Sequence, residues 1–156
     1  MTKLTEGSIA PDFSLPADGG ATVSLSELRG RIVVLYFYPK DDTSGCTTEA
    51  IAFTRLIPEF EKRGATVIGM SPDTAARHDR FKARHDLAVT LVADEETSTL
   101  EAYGVWREKS MYGRKYMGVE RSTFLIGRDG AISRIWRKVK VPNHAEEVLE
   151  AVKALA

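Results

Sequence analysis

Residues 31–39, RIVVLYFYP, form one unbroken apolar, β-branched and aromatic run. That pattern belongs to a strand buried on both faces, and such a strand requires a layer of other elements on each side. The chain then changes character through Lys40, Asp41, Asp42, Thr43, Ser44 and Gly45, and reaches Cys46, the sole cysteine in 156 residues. Over residues 43–63, Ala50, Phe53, Ile57 and Phe60 recur at helical spacing, and Gly64 follows Lys62 and Arg63 as a C-terminal stop. Pro58 within that helix is expected to bend it or split it in two. A helix fed by a buried strand has its N-terminus at the carboxyl edge of the sheet, where sites of α/β proteins form. The thiol sits at that edge.

Further strands are predicted at residues 65–70 and 89–93, with helices at 73–85 and 95–103 between and after them. Residues 121–126 and 131–136 read as two strands joined by the hairpin signal Gly127-Arg128-Asp129-Gly130. A last amphipathic helix is expected over residues 143–155. Alternating strands and helices followed by a hairpin imply an α/β architecture, a mixed central β-sheet flanked by helices in one domain over residues 1–156.

Charge narrows the function classes. Lys plus Arg equals Asp plus Glu at 22 each, so no overall field favours nucleic acid or an anionic membrane. The opening MTKLTEGSIAPDF lacks the apolar stretch of a signal peptide, and no apolar run approaches the ~20 residues of a membrane helix. With one cysteine no internal disulfide can form, and a reducing, cytoplasmic location is expected. His78, His85 and His144 lack a metal-ligand pattern and read as solvated surface residues. Residues 106–117, with Trp106, Tyr112, Tyr116 and Met117, read as a partly exposed loop beside an entrance or simply packed.

At the first turn of a helix, unpaired N–H groups and the positive end of the dipole favour an anion. A thiol there is drawn toward thiolate, the reactive form of cysteine. Gly45 allows close approach to it, Thr43 offers a hydroxyl, and Thr43 and Ser44 both suit the N-cap. A permanent cation would complete the site. Arg121 is the candidate because it heads a strand expected in the same sheet.

Pro39-Lys-Asp-Asp-Thr43-Ser-Gly-Cys46 resembles the Pro-x-x-x-Thr-x-x-Cys motif of the peroxiredoxins. The match is fuller with their bacterioferritin-comigratory-protein, or peroxiredoxin Q, subfamily. It extends through GSIAPDFSLP at 7–16, residues 23–50, GATVIGMSPD at 64–73, YGVW at 103–106, KYMGVERSTFLI at 115–126 and KVKVPNHAEEVL at 138–149. The resemblance implies a thioredoxin-like fold of peroxiredoxin type. It also implies a peroxidase that needs neither metal nor organic cofactor and acts on hydrogen peroxide and organic hydroperoxides. Cys46 would attack the peroxide, Thr43 hold it, Pro39 shield the pocket, Arg121 polarise thiolate and peroxide, and Glu49 support the arginine from behind. For Glu49 the reading as a first-turn, dipole-facing carboxylate stands beside this one.

Two departures from the subfamily are visible. Ser44 replaces its usual proline. Ile51 and residues 80–84, RFKAR, hold none of the resolving cysteines that its members carry. The resemblance therefore implies a one-cysteine enzyme whose sulfenic acid is reduced by an external thiol, either thioredoxin or glutathione with glutaredoxin. A monomer is implied, with weak dimerisation as the alternative. A thioredoxin-like oxidoreductase would need Cys-x-x-Cys, where this chain reads Cys46-Thr-Thr-Glu49. A non-catalytic partner switched by oxidation of Cys46 is the competing reading from outside enzymes.

Overall fold

Every residue from Ile32 to Phe37 is buried, the last five with successive side chains pointing to opposite layers. Val34 and Tyr36 enter one core with Cys46, Phe53 and Val148, whereas Val33, Leu35 and Phe37 enter a second with Leu100, Tyr103 and Phe124. In the computed structural model, which describes residues 3–155, this strand is β3 (Ile32–Phe37). Before it lies a small antiparallel ribbon of β1 (Ser14–Pro16) and β2 (Thr22–Ser24). After it come α1 (Ser44–Lys62), β4 (Ala65–Ser71), α2 (Ala75–His85), β5 (Thr90–Ala93) and α3 (Ser98–Ala102). The chain continues through β6 (Trp106–Met111), β7 (Arg114–Val119), β8 (Ser122–Ile126), β9 (Ile132–Trp136) and α4 (His144–Leu155).

The central sheet has the order β5-β4-β3-β8-β9. β3, β4 and β5 run parallel, β8 is antiparallel to β3, and β9 is antiparallel to β8. This is the expected mixed sheet: helical crossovers make the parallel part and the hairpin makes the antiparallel part. Phe37 pairs with Met70 and with Ser122, so the last residue of β3, the end of β4 and the start of β8 share one edge. Arg121 and the head of α1 meet there.

Several expectations are corrected. Pro58 does not split α1, which is continuous from Ser44 to Lys62. Pro58 lies on the exposed side of the helix, where water can satisfy the carbonyl that its missing N–H leaves free. α3 starts at Ser98, later than the composition suggested. Thr97 is left-handed at φ 64, and the buried Asp94 carboxylate accepts from the Leu100 amide at 2.8 Å. Residues 106–117 are not a loop but most of the β6–β7 ribbon, turned at Tyr112 and Gly113 with both φ positive. α2 starts at Ala75 and is capped by Thr74, whose hydroxyl accepts from the Arg77 amide at 3.1 Å. Among the described residues no helix is long and apolar enough to cross a membrane.

Candidate active site

Thr43 is the N-cap of α1, in extended conformation at φ −85° and ψ 154°. Its hydroxyl does not cap the helix. It donates instead to the Lys40 carbonyl at 2.8 Å, closing the loop that leads out of β3. The first helical bond runs from the Thr47 amide to the Thr43 carbonyl, so the amides of Ser44, Gly45 and Cys46 are orphans of the helix start. Pro39, half-buried, opens the same loop.

Cys46 faces inward from the first turn and is only 1 % exposed. Arg121 stands directly before β8, with its carbonyl held by the Val139 amide at 2.9 Å. Its guanidinium forks: Nη2 donates to Cys46 Sγ at 3.3 Å and Nη1 to Glu49 Oε1 at 2.6 Å. Glu49 lies one helical turn beyond Cys46 on the same face and is equally buried. Burial pushes the Glu49 carboxyl up to about 7, against the pull of Arg121. Arg121 also loses water, yet the negative charges of Glu49 and Cys46 hold its pKa above the ordinary arginine value. A Cβ at Gly45 would lie 3.3 Å from Arg121 Nη2, so glycine keeps the approach to the sulfur open. Beneath them Tyr36 stacks on Phe53 at 4.7 Å and presses its ring against Gly69, where a Cβ would come within 2.7 Å. Desolvation raises the Tyr36 pKa well above the usual phenol range and keeps its hydroxyl protonated.

The structure thus brings Cys46, Arg121 and Glu49 into direct contact, with Thr43 and Pro39 on the loop that leads to them. Sequence reasoning missed a second network behind that loop. Asp41 accepts from the Tyr38 hydroxyl at 2.5 Å and lies 2.7 Å from His78 Nδ1, and its amide donates to Asp73 at 2.8 Å. His78 Nε2 donates to the Val92 carbonyl at 3.0 Å. The Asp41–His78 pair must therefore hold one proton in addition to the one on Nε2. This corrects the histidine reading. His78 is wholly buried, His144 is buried with Nε2 2.8 Å from the Thr123 hydroxyl, and only His85, 2.9 Å from Asp42, keeps part of its surface in water. Paired acidic residues at 41 and 42 were the available signal, but the helix that meets them lies about 40 positions away.

A buried thiol at the head of a helix, gripped by an arginine at the edge of a mixed α/β sheet, defines a thiol-dependent peroxidase of thioredoxin-like fold. Residues 7–135 match the AhpC/TSA family model, and the chain belongs to that family, as a peroxiredoxin of the Bcp type. Peroxiredoxin Bcp of Bacillus subtilis is 47% identical over 150 residues, covering 96% of each chain. Peroxiredoxin Bcp of Escherichia coli K12 is 40% identical over 153 residues, 98% of each. Among solved structures, a cysteine-to-serine variant of Xylella fastidiosa PrxQ superposes with a TM-score of 0.92 at 41% identity, covering 99% of this chain and 98% of its own. The bacterioferritin comigratory protein of Xanthomonas campestris, described for its alkyl peroxide reduction activity, gives 0.87 at 45% identity over 91% and 90% of the two chains.

Proposed function

We propose that this peroxidase reduces hydrogen peroxide and organic hydroperoxides through Cys46, with Arg121, Thr43, Pro39 and Glu49 in distinct supporting roles. The observation that carries the assignment is the forked guanidinium of Arg121, which binds the sulfur with one nitrogen and a buried carboxylate with the other. Donation to Sγ favours the thiolate, and the positive end of α1 acts in the same direction.

The Cys46 thiolate attacks the terminal oxygen of R–O–O–H in line with the O–O bond. The S–O bond forms, the O–O bond breaks, and the departing RO⁻ takes a proton to become water or an alcohol. Charge spreads over two oxygens on the way, and Arg121 with the orphan amides of the first turn supplies donors for it. The Thr43 hydroxyl already donates its one hydrogen to the Lys40 carbonyl and can only accept a further hydrogen bond. Its role is to receive the hydrogen of the peroxide and so choose which oxygen faces the sulfur. Glu49 holds the guanidinium in plane, and Pro39 limits water at the loop.

Cys46 is left as sulfenic acid, the first step of the oxidation ladder. No second thiol exists in the sequence, so an external thiolate attacks the sulfenic sulfur and releases hydroxide, and a second thiol then frees Cys46. Thioredoxin, or glutathione with glutaredoxin, fits this step in the cytoplasm, with the protein acting as one domain and a monomer. Stopped-flow mixing of reduced protein with one equivalent of hydrogen peroxide tests the reading. Consumption far faster than by free cysteine is expected, with one oxygen added at Cys46 and the activity lost in Cys46→Ser and Arg121→Ala. A rate equal to free cysteine, indifferent to Arg121→Ala, would leave only a sensing or binding role.

A further inference from the structure

The loop that carries Pro39 and Thr43 into α1 is held from a side that the peroxide chemistry does not use. Tyr38 opens it, its amide donating to the Met70 carbonyl of β4 at 3.1 Å. Asp41 turns inward, is only 7 % exposed, and is bound at three points. Its amide donates to Asp73 Oδ2 at 2.8 Å, its Oδ1 accepts from the Tyr38 hydroxyl at 2.5 Å, and its Oδ2 lies 2.7 Å from Nδ1 of the wholly buried His78. Burial above all raises the Tyr38 pKa well above the phenol range, so that hydroxyl remains a donor. Asp42 follows in the left-handed region at φ 63, a conformation that costs a residue with a Cβ and persists where its surroundings hold it. The hold comes again from α2, through His85 Nε2 at 2.9 Å and Arg84 at 3.5 Å. Thr43 is next, and its hydroxyl donates to the carbonyl of Lys40, the residue before Asp41.

α2 is itself anchored. His78 Nε2 donates to the Val92 carbonyl of β5 at 3.0 Å, Lys82 meets Asp18 at 2.8 Å, and Asp79 accepts from the Gly19 amide at 2.7 Å. The site thus has two supports. Cys46, Glu49 and Arg121 hold one another between α1 and the start of β8. Thr43 takes its place from the loop, and the loop takes its place from α2. Placement matters at this scale, because a shift of about 1 Å in a group that orients a substrate can cost about a hundredfold in rate.

We propose that His78 is a positioning residue of the peroxidase: through Asp41 it sets where Thr43 presents its hydroxyl oxygen to the peroxide, and it leaves the thiolate to Arg121. The inference rests on Cys46 as the reacting thiol and on Thr43 as the acceptor of the peroxide hydrogen.

Two substitutions divide the contacts of the ring. Glutamine can replace Nε2 toward the Val92 carbonyl but leaves Asp41 without its partner, whereas asparagine can replace Nδ1 toward Asp41 and gives up the carbonyl. His78→Gln and His78→Asn are compared with wild type, alone and combined with Thr43→Val, at a temperature where circular dichroism shows each protein folded. Stopped-flow consumption of hydrogen peroxide gives the rate. The ultraviolet absorbance of the thiolate against pH reports Cys46, the sole cysteine. His78→Gln should lower the rate about tenfold with the thiolate curve unmoved, and His78→Asn should recover most of that loss. Beside Thr43→Val, His78→Gln should cost less than about twofold more, since the group it acts through is already gone. Should His78→Gln fail to fold, Tyr38→Phe, which takes one hydroxyl from Asp41, is read in the same way, with a smaller loss that also vanishes beside Thr43→Val. A wild-type rate in His78→Gln would overturn the proposal. So would equal losses in the glutamine and asparagine variants, the full tenfold loss repeated beside Thr43→Val, or a thiolate curve displaced along with the rate. A wild-type protein no faster than Cys46→Ser would instead sink the assignment of Cys46, a result that no change at His78 can mimic.

Discussion

At the scale of single residues the site is a matter of tenths of an ångström around Arg121. Gly45 sits where any Cβ would come 3.3 Å from Nη2, tighter than ordinary van der Waals contact. The nitrogen that would have to move is the one that binds Sγ. Gly45→Ala should therefore leave the fold as stable as before, or up to about 1 kcal/mol more stable because alanine suits a helix better, yet slow peroxide consumption several-fold. Thermal melting and stopped-flow rates on one preparation check both halves. Melting and rate moving together would show that the Cβ contact does not control the guanidinium. Cys46 stands out in the sequence because it sits where a buried strand passes into a helix, whereas Arg121 is one of 22 basic residues and becomes a firm candidate only through the resemblance. The contact of His78 with Asp41 could not be read at all, because its partners lie 37 positions apart on a helix and a loop.

Elements transmit order to that site through the loop of residues 38–43. α2 reaches the loop at three points: His78 on Asp41, and both Arg84 and His85 on Asp42. The inner contact is closed to water, so removing one partner strands a buried charge. His78→Leu should cost about 3 kcal/mol or more, a fall of roughly 10 °C in Tm for a chain of this length. It should also slow the peroxidase, since Asp41 lies two residues before Thr43. Adding Asp41→Asn removes the stranded charge and should recover part of the stability. A double variant as unstable as the sum of the singles would mean that the pair is not coupled. The larger elements were legible wherever one period ran long enough, as in β3, β4, α1 and α4. The β1–β2 ribbon, three residues a strand, and the β6–β7 ribbon were not, because short ribbons outside the main sheet bury too little to leave an apolar face in the sequence.

Over the whole molecule, two buried groups on either side of one core set opposing responses to pH. The three histidines looked alike in the sequence; only the packing of α4 on α1 and the sheet buries His144, against Phe53 and Trp136. Burial lowers its pKa from 6.5 to about 4. Its contribution to stability is thus complete above pH 6.5 and is lost as pH falls toward 4. Glu49 runs the other way. Raised from 4.5 to about 7, its contribution is complete below pH 4.5 and is lost as pH climbs through 7. Each amounts to something on the order of 3 kcal/mol, and the intervals nearly coincide. The wild-type protein should therefore show little change in urea midpoint between pH 5 and pH 7.5, since one loss offsets the other's gain. The variants should uncover the two slopes. Glu49→Gln, left with His144, should grow more stable as pH rises, and His144→Gln, left with Glu49, should grow less stable. Urea denaturation of the three proteins across that range decides it, because comparing variants cancels the remaining titrating groups. Parallel curves would mean that neither group titrates from a buried position. Slopes of opposite sign would show that the carboxylate behind Arg121 carries a cost of its own in the folded chain, one that rises toward neutral pH.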